Sequence, residues 1–247
     1  MRIAVINFSG NVGKTTVARH LLLPRIPGAD FISVESLNAG EDQGPALRGS
    51  QFRELQSYLQ TVGSAVVDIG ASNIEDLIDR MHRYQRSHED FDCFVVPTVP
   101  PRKQQQDTIA TIAELSELGV SPAKLRIVFN MVDYRAEVQQ SFGMLLAFLQ
   151  ERPLATADHR CRLGQNELYE RIKASGTEVA ELAADTTDYR RRIVEAGSMA
   201  EKLALADRLA NARLAGGVLK ELDACFAALG FATMTSDALD ASTQERS

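Results

Sequence analysis

Residues 2–23 read RIAVINFSGNVGKTTVARHLLL, and this stretch decides the fold. Ile3 to Ile6 form an apolar run without alternation, the pattern of a strand buried on both faces of a parallel sheet. Ser9, Gly10, Asn11, Val12 and Gly13 follow as a glycine-containing loop, then Lys14, Thr15 and Thr16 open a short helix that Pro24 stops. A loop of this kind turns its backbone N–H groups, and those of the helix start, toward phosphate oxygens. A lysine at position 14 can bridge the β- and γ-phosphates, and the Thr15 hydroxyl can ligate Mg²⁺. The expected ligand is a nucleoside triphosphate held by Ser9, Gly10, Asn11, Val12, Gly13, Lys14, Thr15 and Thr16.

Working outward, the pattern repeats. Phe31 to Val34 predict a second strand, Ser64 to Ile69 a third, Cys93 to Val96 a fourth ended by Pro97, and Leu125 to Phe129 a fifth. Leu154 to Ala157 are the candidate for a last strand. Between them, Phe52, Leu55 and Leu59 share a helical face; so do Ile74, Leu77, Ile78 and Met81, and Ile109, Ile112, Leu115 and Leu118. Near-continuous apolar strands alternating with amphipathic helices imply an α/β fold, a mostly parallel sheet covered by helices on both faces. Ligands of such sheets sit at the carboxyl ends of the strands. Glu35, Asp68, Pro97 and Asn130 all fall there, beside the loop.

These positions suggest chemistry. Asp68 ends a strand of the VVD type, where a carboxylate can hold a Mg²⁺-bound water. Glu35 borders the place of the γ-phosphate and can orient or accept a proton from an attacking water, with Glu41 and Asp42 as rivals. The Asn130 amide offers a donor and an acceptor that suit an adenine edge. Lys14, Glu35 and Asp68 are thus the candidate catalytic residues, and Thr15 and Asp68 the candidate metal ligands. His20, His82, His88 and His159 lack ligand spacing, and Cys93, Cys161 and Cys225 read as reduced thiols. Arg190, Arg191 and Arg192 lie between Asp188 and Glu195 and read as a solvated helix face.

At 247 residues the chain can bury a sizeable core, and three segments are expected. Residues 1–187 form the P-loop core, 188–230 a C-terminal helical extension interrupted at Gly216-Gly217, and 231–247 a polar tail expected to be disordered. A net charge of -6 argues against bulk nucleic-acid binding. No apolar stretch approaches the length of a membrane span, so no membrane insertion is expected and the cytoplasm is the expected compartment.

In the order of their motifs, residues 1 to about 185 resemble the ParA/MinD family of deviant Walker P-loop ATPases. SGNVGKTT is similar to the deviant Walker A loop, K-G-G-x-G-K-[ST], with Ser9 in place of the leading lysine and Asn11 in place of the second glycine. Phe8 stands where the common loop, G-x-x-x-x-G-K-[ST], has glycine. FISVES falls where the family has Asp-x-Asp, SAVVDIGAS resembles the Walker B segment, CFVVPTVPP the strand and proline-rich loop after it, and RIVFNMVD the strand whose asparagine contacts adenine. NFSGNVGKTTVARHLL with SVESLNAG is most similar to the StbB-type plasmid stability proteins. The resemblance implies ATP and Mg²⁺, slow hydrolysis and an ATP-dependent homodimer. It also implies a small plasmid-encoded DNA-binding partner, a role in plasmid partition or conjugation, and plasmid DNA touched indirectly or weakly. Ser9 cannot supply the cross-dimer charge of the family's lysine; Arg102 or Lys103 is the expected substitute. The competing class is a P-loop small-molecule kinase or an ATP-dependent ligase of the dethiobiotin synthetase type. It requires a polar acceptor site that the sequence does not display.

Overall fold

A computed structural model describes residues 1–34, 49–173 and 176–231. Strands β1 (Arg2–Val5), β2 (Asp30–Ser33), β3 (Ala65–Asp68), β4 (Cys93–Thr98), β5 (Leu125–Val132) and β6 (Arg162–Gly164) form one sheet in the order β2-β3-β1-β4-β5-β6. Every pairing is parallel, with Val5 opposite Asp68 on one side and Val95 on the other. The α/β class expected from the apolar runs is the class observed. β1 lies centrally, and the chain leaves it toward β2 and returns later to β4 on its other flank. The loop after β1 therefore opens at the point where the winding reverses, where such sheets bind ligands.

Alternation along each strand sorts the core into two layers. Ala4, Ile6, Val67, Phe94, Val96, Ile127 and Phe129 face one side. They pack against α2 (Gly49–Thr61), α3 (Ile74–Arg83), α4 (Arg102–Glu117), α5 (Val138–Ser141) and α6 (Gly143–Glu151). Ile3, Val5, Val66, Cys93, Val95 and Val128 face the other. Against them lie the helix after the loop, α7 (Leu168–Lys173), α8 (Val179–Ala183) and α10 (Met199–Leu229). The helix after the loop starts as α1 (Lys14–Thr16), widens into a π-helical stretch over Val17–Leu22 and ends as a 3₁₀ turn over Leu23–Arg25, with Pro24 inside it.

Four expectations need correction. β4 does not stop before Pro97 but runs to Thr98. β1 has ended at Val5 by that level, and the Pro97 carbonyl on that side accepts from the Asn7 side chain, so the missing proline N–H removes no ladder bond. The proline-rich loop is short, because α4 starts at Arg102 directly after Pro101. The sixth strand is Arg162–Gly164; Thr156 makes only an isolated bridge to Arg126. Gly216-Gly217 does not interrupt α10, which is continuous from Met199 to Leu229. Burial of Ala215, Val218, Leu222, Cys225 and Leu229 against the sheet outweighs the roughly 1 kcal/mol that each helical glycine costs. The preceding helix, α9 (Tyr189–Glu195), carries Arg190, Arg191 and Arg192 exposed, with Arg191 paired to Glu195 at 2.7 Å. Residues 232–247 of the expected tail lie outside the described residues. No helix among the described residues is long and apolar enough to cross a membrane.

Candidate nucleotide-binding site

The loop between β1 and α1 is tied down from four sides. Gly13 has φ 81°, a left-handed conformation that an L side chain resists. A Cβ there would also lie 2.1 Å from Asn130 Nδ2. Glycine is therefore required at position 13 twice over. Asn11 also takes a positive φ, 57°, which asparagine tolerates better than most residues. Gly10 has open space around it.

Asn130 is buried near the end of β5, and both ends of its amide are engaged. Nδ2 donates to the Val12 carbonyl at 2.9 Å, and Oδ1 accepts from the Met131 N–H at 2.9 Å. In this geometry it latches the loop to β5.

A second anchor went unread in the sequence. Asn7 is wholly buried, and its Nδ2 donates to the Pro97 carbonyl and to Thr108 Oγ1, both at 2.8 Å. Its Oδ1 accepts from the Ser9 N–H at 2.8 Å, while the Phe8 N–H donates to Thr111 Oγ1 at 3.0 Å. Thr108 reaches on to Thr98. Further along α4, Gln105 donates to the Pro100 and Ser141 carbonyls and accepts from the Leu145 N–H. This network satisfies the polar groups of a loop that would otherwise be buried without partners. The signal was present: Gln105, Thr108, Ile112 and Leu115 follow a 3-4-3 spacing. That places two polar residues on the buried stripe of α4.

Lys14 is almost buried, at 7% exposure. Its Nζ donates to the Ser9 carbonyl at 2.6 Å and the Asn7 carbonyl at 3.1 Å. The ammonium is thus folded over its own loop. Thr15 Oγ1 donates to Asp68 Oδ2 at 2.6 Å. β3 delivers that carboxylate, and its register against β1 sets Asp68 opposite Val5, at the level where the loop begins. Hard oxygen donors from a hydroxyl and one carboxylate, beside a phosphate cradle, fit Mg²⁺, which takes few protein ligands and completes its shell with water and phosphate. No cluster of three or more histidine, cysteine or acidic side chains suited to a metal occurs among the described residues.

The loop, Asp68, Gly70 and Ala71 open onto a cleft of about 570 Å³. This is within the roughly 300–1,000 Å³ usual for small-ligand sites. Met131 and, from α7, Glu170 and Lys173 also line it. No sequence pattern marks those two residues; only the return of the chain after β6 brings them to the loop. Of the expected site residues, Gly10, Asn11, Gly13, Lys14, Thr15, Thr16 and Asp68 line the cleft. Ser9, Val12 and Asn130 support it from behind through the bonds above. Glu35, with its rivals Glu41 and Asp42, lies outside the described residues.

Fold and site together define an α/β chain with a P-loop at the centre of a parallel sheet. No protein-family model matches the chain. No curated protein matches it either. Among solved structures it is similar to apo McdA of Cyanothece, at 15% identity and a TM-score of 0.48, over 73% of this chain and 92% of that one. The ATP complex of a McdA variant from Cyanothece gives 15% identity and 0.47, over 73% and 89%. A putative plasmid partition protein of Borrelia burgdorferi B31 bound to AMPPNP gives 11% and 0.42, over 68% and 88%. At such identities the likeness is one of chain path and does not extend to activity.

Proposed function

We propose that the chain is an ATP-binding, slowly hydrolysing nucleotide switch of the ParA/MinD kind. It would act in plasmid stability, positioning or conjugative transfer, in the cytoplasm, beside a small plasmid-encoded DNA-binding protein. The observation that carries the nucleotide part is the Thr15–Asp68 contact of 2.6 Å at the mouth of the P-loop cleft. A threonine hydroxyl and a strand-end carboxylate converge where a phosphate-bound cation belongs. Thr15 Oγ1 and Asp68 would hold Mg²⁺, which would supply positive charge against the phosphates. Lys14 exchanges its two carbonyl partners for phosphate oxygens. Gly10 to Thr16 present N–H groups to the same anion. Asn130 meets the adenine edge in this reading. Glu35 orients the attacking water in this reading, and Glu35→Gln leaves binding intact while slowing turnover.

The partner and plasmid roles rest on the order of motifs described above. An ATP-dependent homodimer belongs to the same reading. With a net charge of -6, direct DNA binding is weak and strongly salt-dependent. The test is phosphate release by the pure protein with ATP and Mg²⁺, alongside molar mass by light scattering with ATP–Mg²⁺ and with ADP. Slow release above the Lys14→Ala background and a mass doubling in ATP are expected. Release no faster than Lys14→Ala, with one mass throughout, would overturn the switch.

A further inference from the structure

A nucleoside triphosphate brings several negative charges to the cleft, and a divalent cation offsets only part of them. Among the described residues lining the cleft, the cations are Lys14 and Lys173. Position 9 carries no charge, and Ser9 is nearly buried with its carbonyl committed to Lys14. Arg102 and Lys103, the substitutes expected from the sequence, are exposed on the first turn of α4 and do not line the cleft. Lys173 is different. It ends α7, which packs on the sheet through buried Leu168 and Ile172, so its Cα is fixed at the rim of the cleft. The ammonium stands on a flexible four-carbon stem and can swing inward.

We propose that Lys173 is a phosphate-binding residue acting within its own chain, the second cation on the triphosphate. The assignment rests on the P-loop reading. α7 is thereby the movable-charge wall of the site. The charge that pairs with the nucleotide then comes from the same subunit, and tight ATP binding does not wait for a second copy.

The test is equilibrium titration of the full chain with ATP–Mg²⁺ at dilutions where it stays monomeric, for wild type, Lys14→Ala, Lys173→Met, Lys173→Arg and Lys103→Met. Unchanged thermal midpoints establish that the variants are folded. Lys173→Met is expected to weaken ATP about tenfold, the usual scale of one charge-assisted contact. Lys173→Arg should stay within about threefold and Lys103→Met within about twofold of wild type. The loss for Lys173→Met should shrink in high salt, because the contact is partly exposed. Lys173→Met binding as wild type does, or Lys173→Arg binding as poorly as Lys173→Met, would overturn the assignment while leaving the P-loop intact. Wild type failing to bind, with Lys14→Ala no different, would overturn the P-loop reading and this one with it.

Discussion

Gly13→Ala should destabilise the fold by about 2–3 kcal/mol, and Asn130 should account for a measurable part of that. Two costs combine. The φ of 81° places an alanine in the left-handed region, about 1–2 kcal/mol for an L residue. The new Cβ would also lie 2.1 Å from Asn130 Nδ2, inside any allowed contact. Relief requires Asn130 to move away from the Val12 carbonyl, losing a bond worth about 0.5–1.5 kcal/mol. In the Asn130→Ala background the clash is absent, and only the backbone cost remains. The double variant should therefore be less destabilised than the two single losses added, by about 0.5–1.5 kcal/mol. Urea unfolding followed by far-ultraviolet circular dichroism supplies the four stabilities. Additivity within about 0.3 kcal/mol, or a Gly13→Ala variant as stable as wild type, would show that Asn130 does not press on the loop.

Other consequences can be checked separately. Asn7→Ala leaves the Ser9 N–H, the Pro97 carbonyl and Thr108 without their buried partner, and should cost about 2–4 kcal/mol in the same urea assay, while a change under about 0.5 kcal/mol would remove the network from the account. Asp68→Asn should abolish the Mg²⁺ enhancement of ATP binding but keep metal-free ATP binding within about threefold of wild type; an undiminished Mg²⁺ effect would take Asp68 out of the metal site. Burial lowers the His20 pKa below its ordinary value; Glu178, 3.4 Å from Nδ1, opposes that shift and Arg19 adds to it. The unfolded chain then binds the proton more readily than the folded one. The stability involved is complete above the unfolded pKa of about 6.5 and declines as pH falls toward the folded value. Thermal midpoints of wild type should therefore drop more steeply than those of His20→Gln below about pH 6.5, and parallel curves would contradict this. Cys93 and Cys161, pushed up to about 12 by burial, should resist a thiol reagent at pH 8 until the protein is unfolded.

What the sequence revealed, and what it hid, follows from where each signal resides. The P-loop and the five expected strands were legible because their information is local: an apolar run, a glycine at fixed distance from lysine, a carboxylate at a strand end. The sixth strand was misplaced because Arg162–Gly164 has one apolar side chain in three and is stabilised by β5 rather than by its own pattern. Gly216-Gly217 misled because local propensity favours a break, whereas burial on either side of the pair keeps α10 whole. Asn7 escaped notice because a single asparagine after a strand looks like a turn residue; its role depends on Pro97 and Thr108, about a hundred residues away. Glu170 and Lys173 carried no signal, since charges on a short helix are ordinary until topology sets them into the same cleft as the loop.

The central claim is that residues Gly10 to Thr16 bind the phosphates of ATP, with Lys14 as their principal charge. Calorimetric titration of the pure chain with ATP–Mg²⁺, wild type against Lys14→Ala, tests it most directly. The account predicts saturable binding by wild type at one nucleotide per chain. It predicts a loss of at least about a hundredfold in Lys14→Ala, or about 2.7 kcal/mol, because a buried ammonium among the phosphates is removed. Equal affinity of the two proteins, or no heat of binding in either, would contradict it.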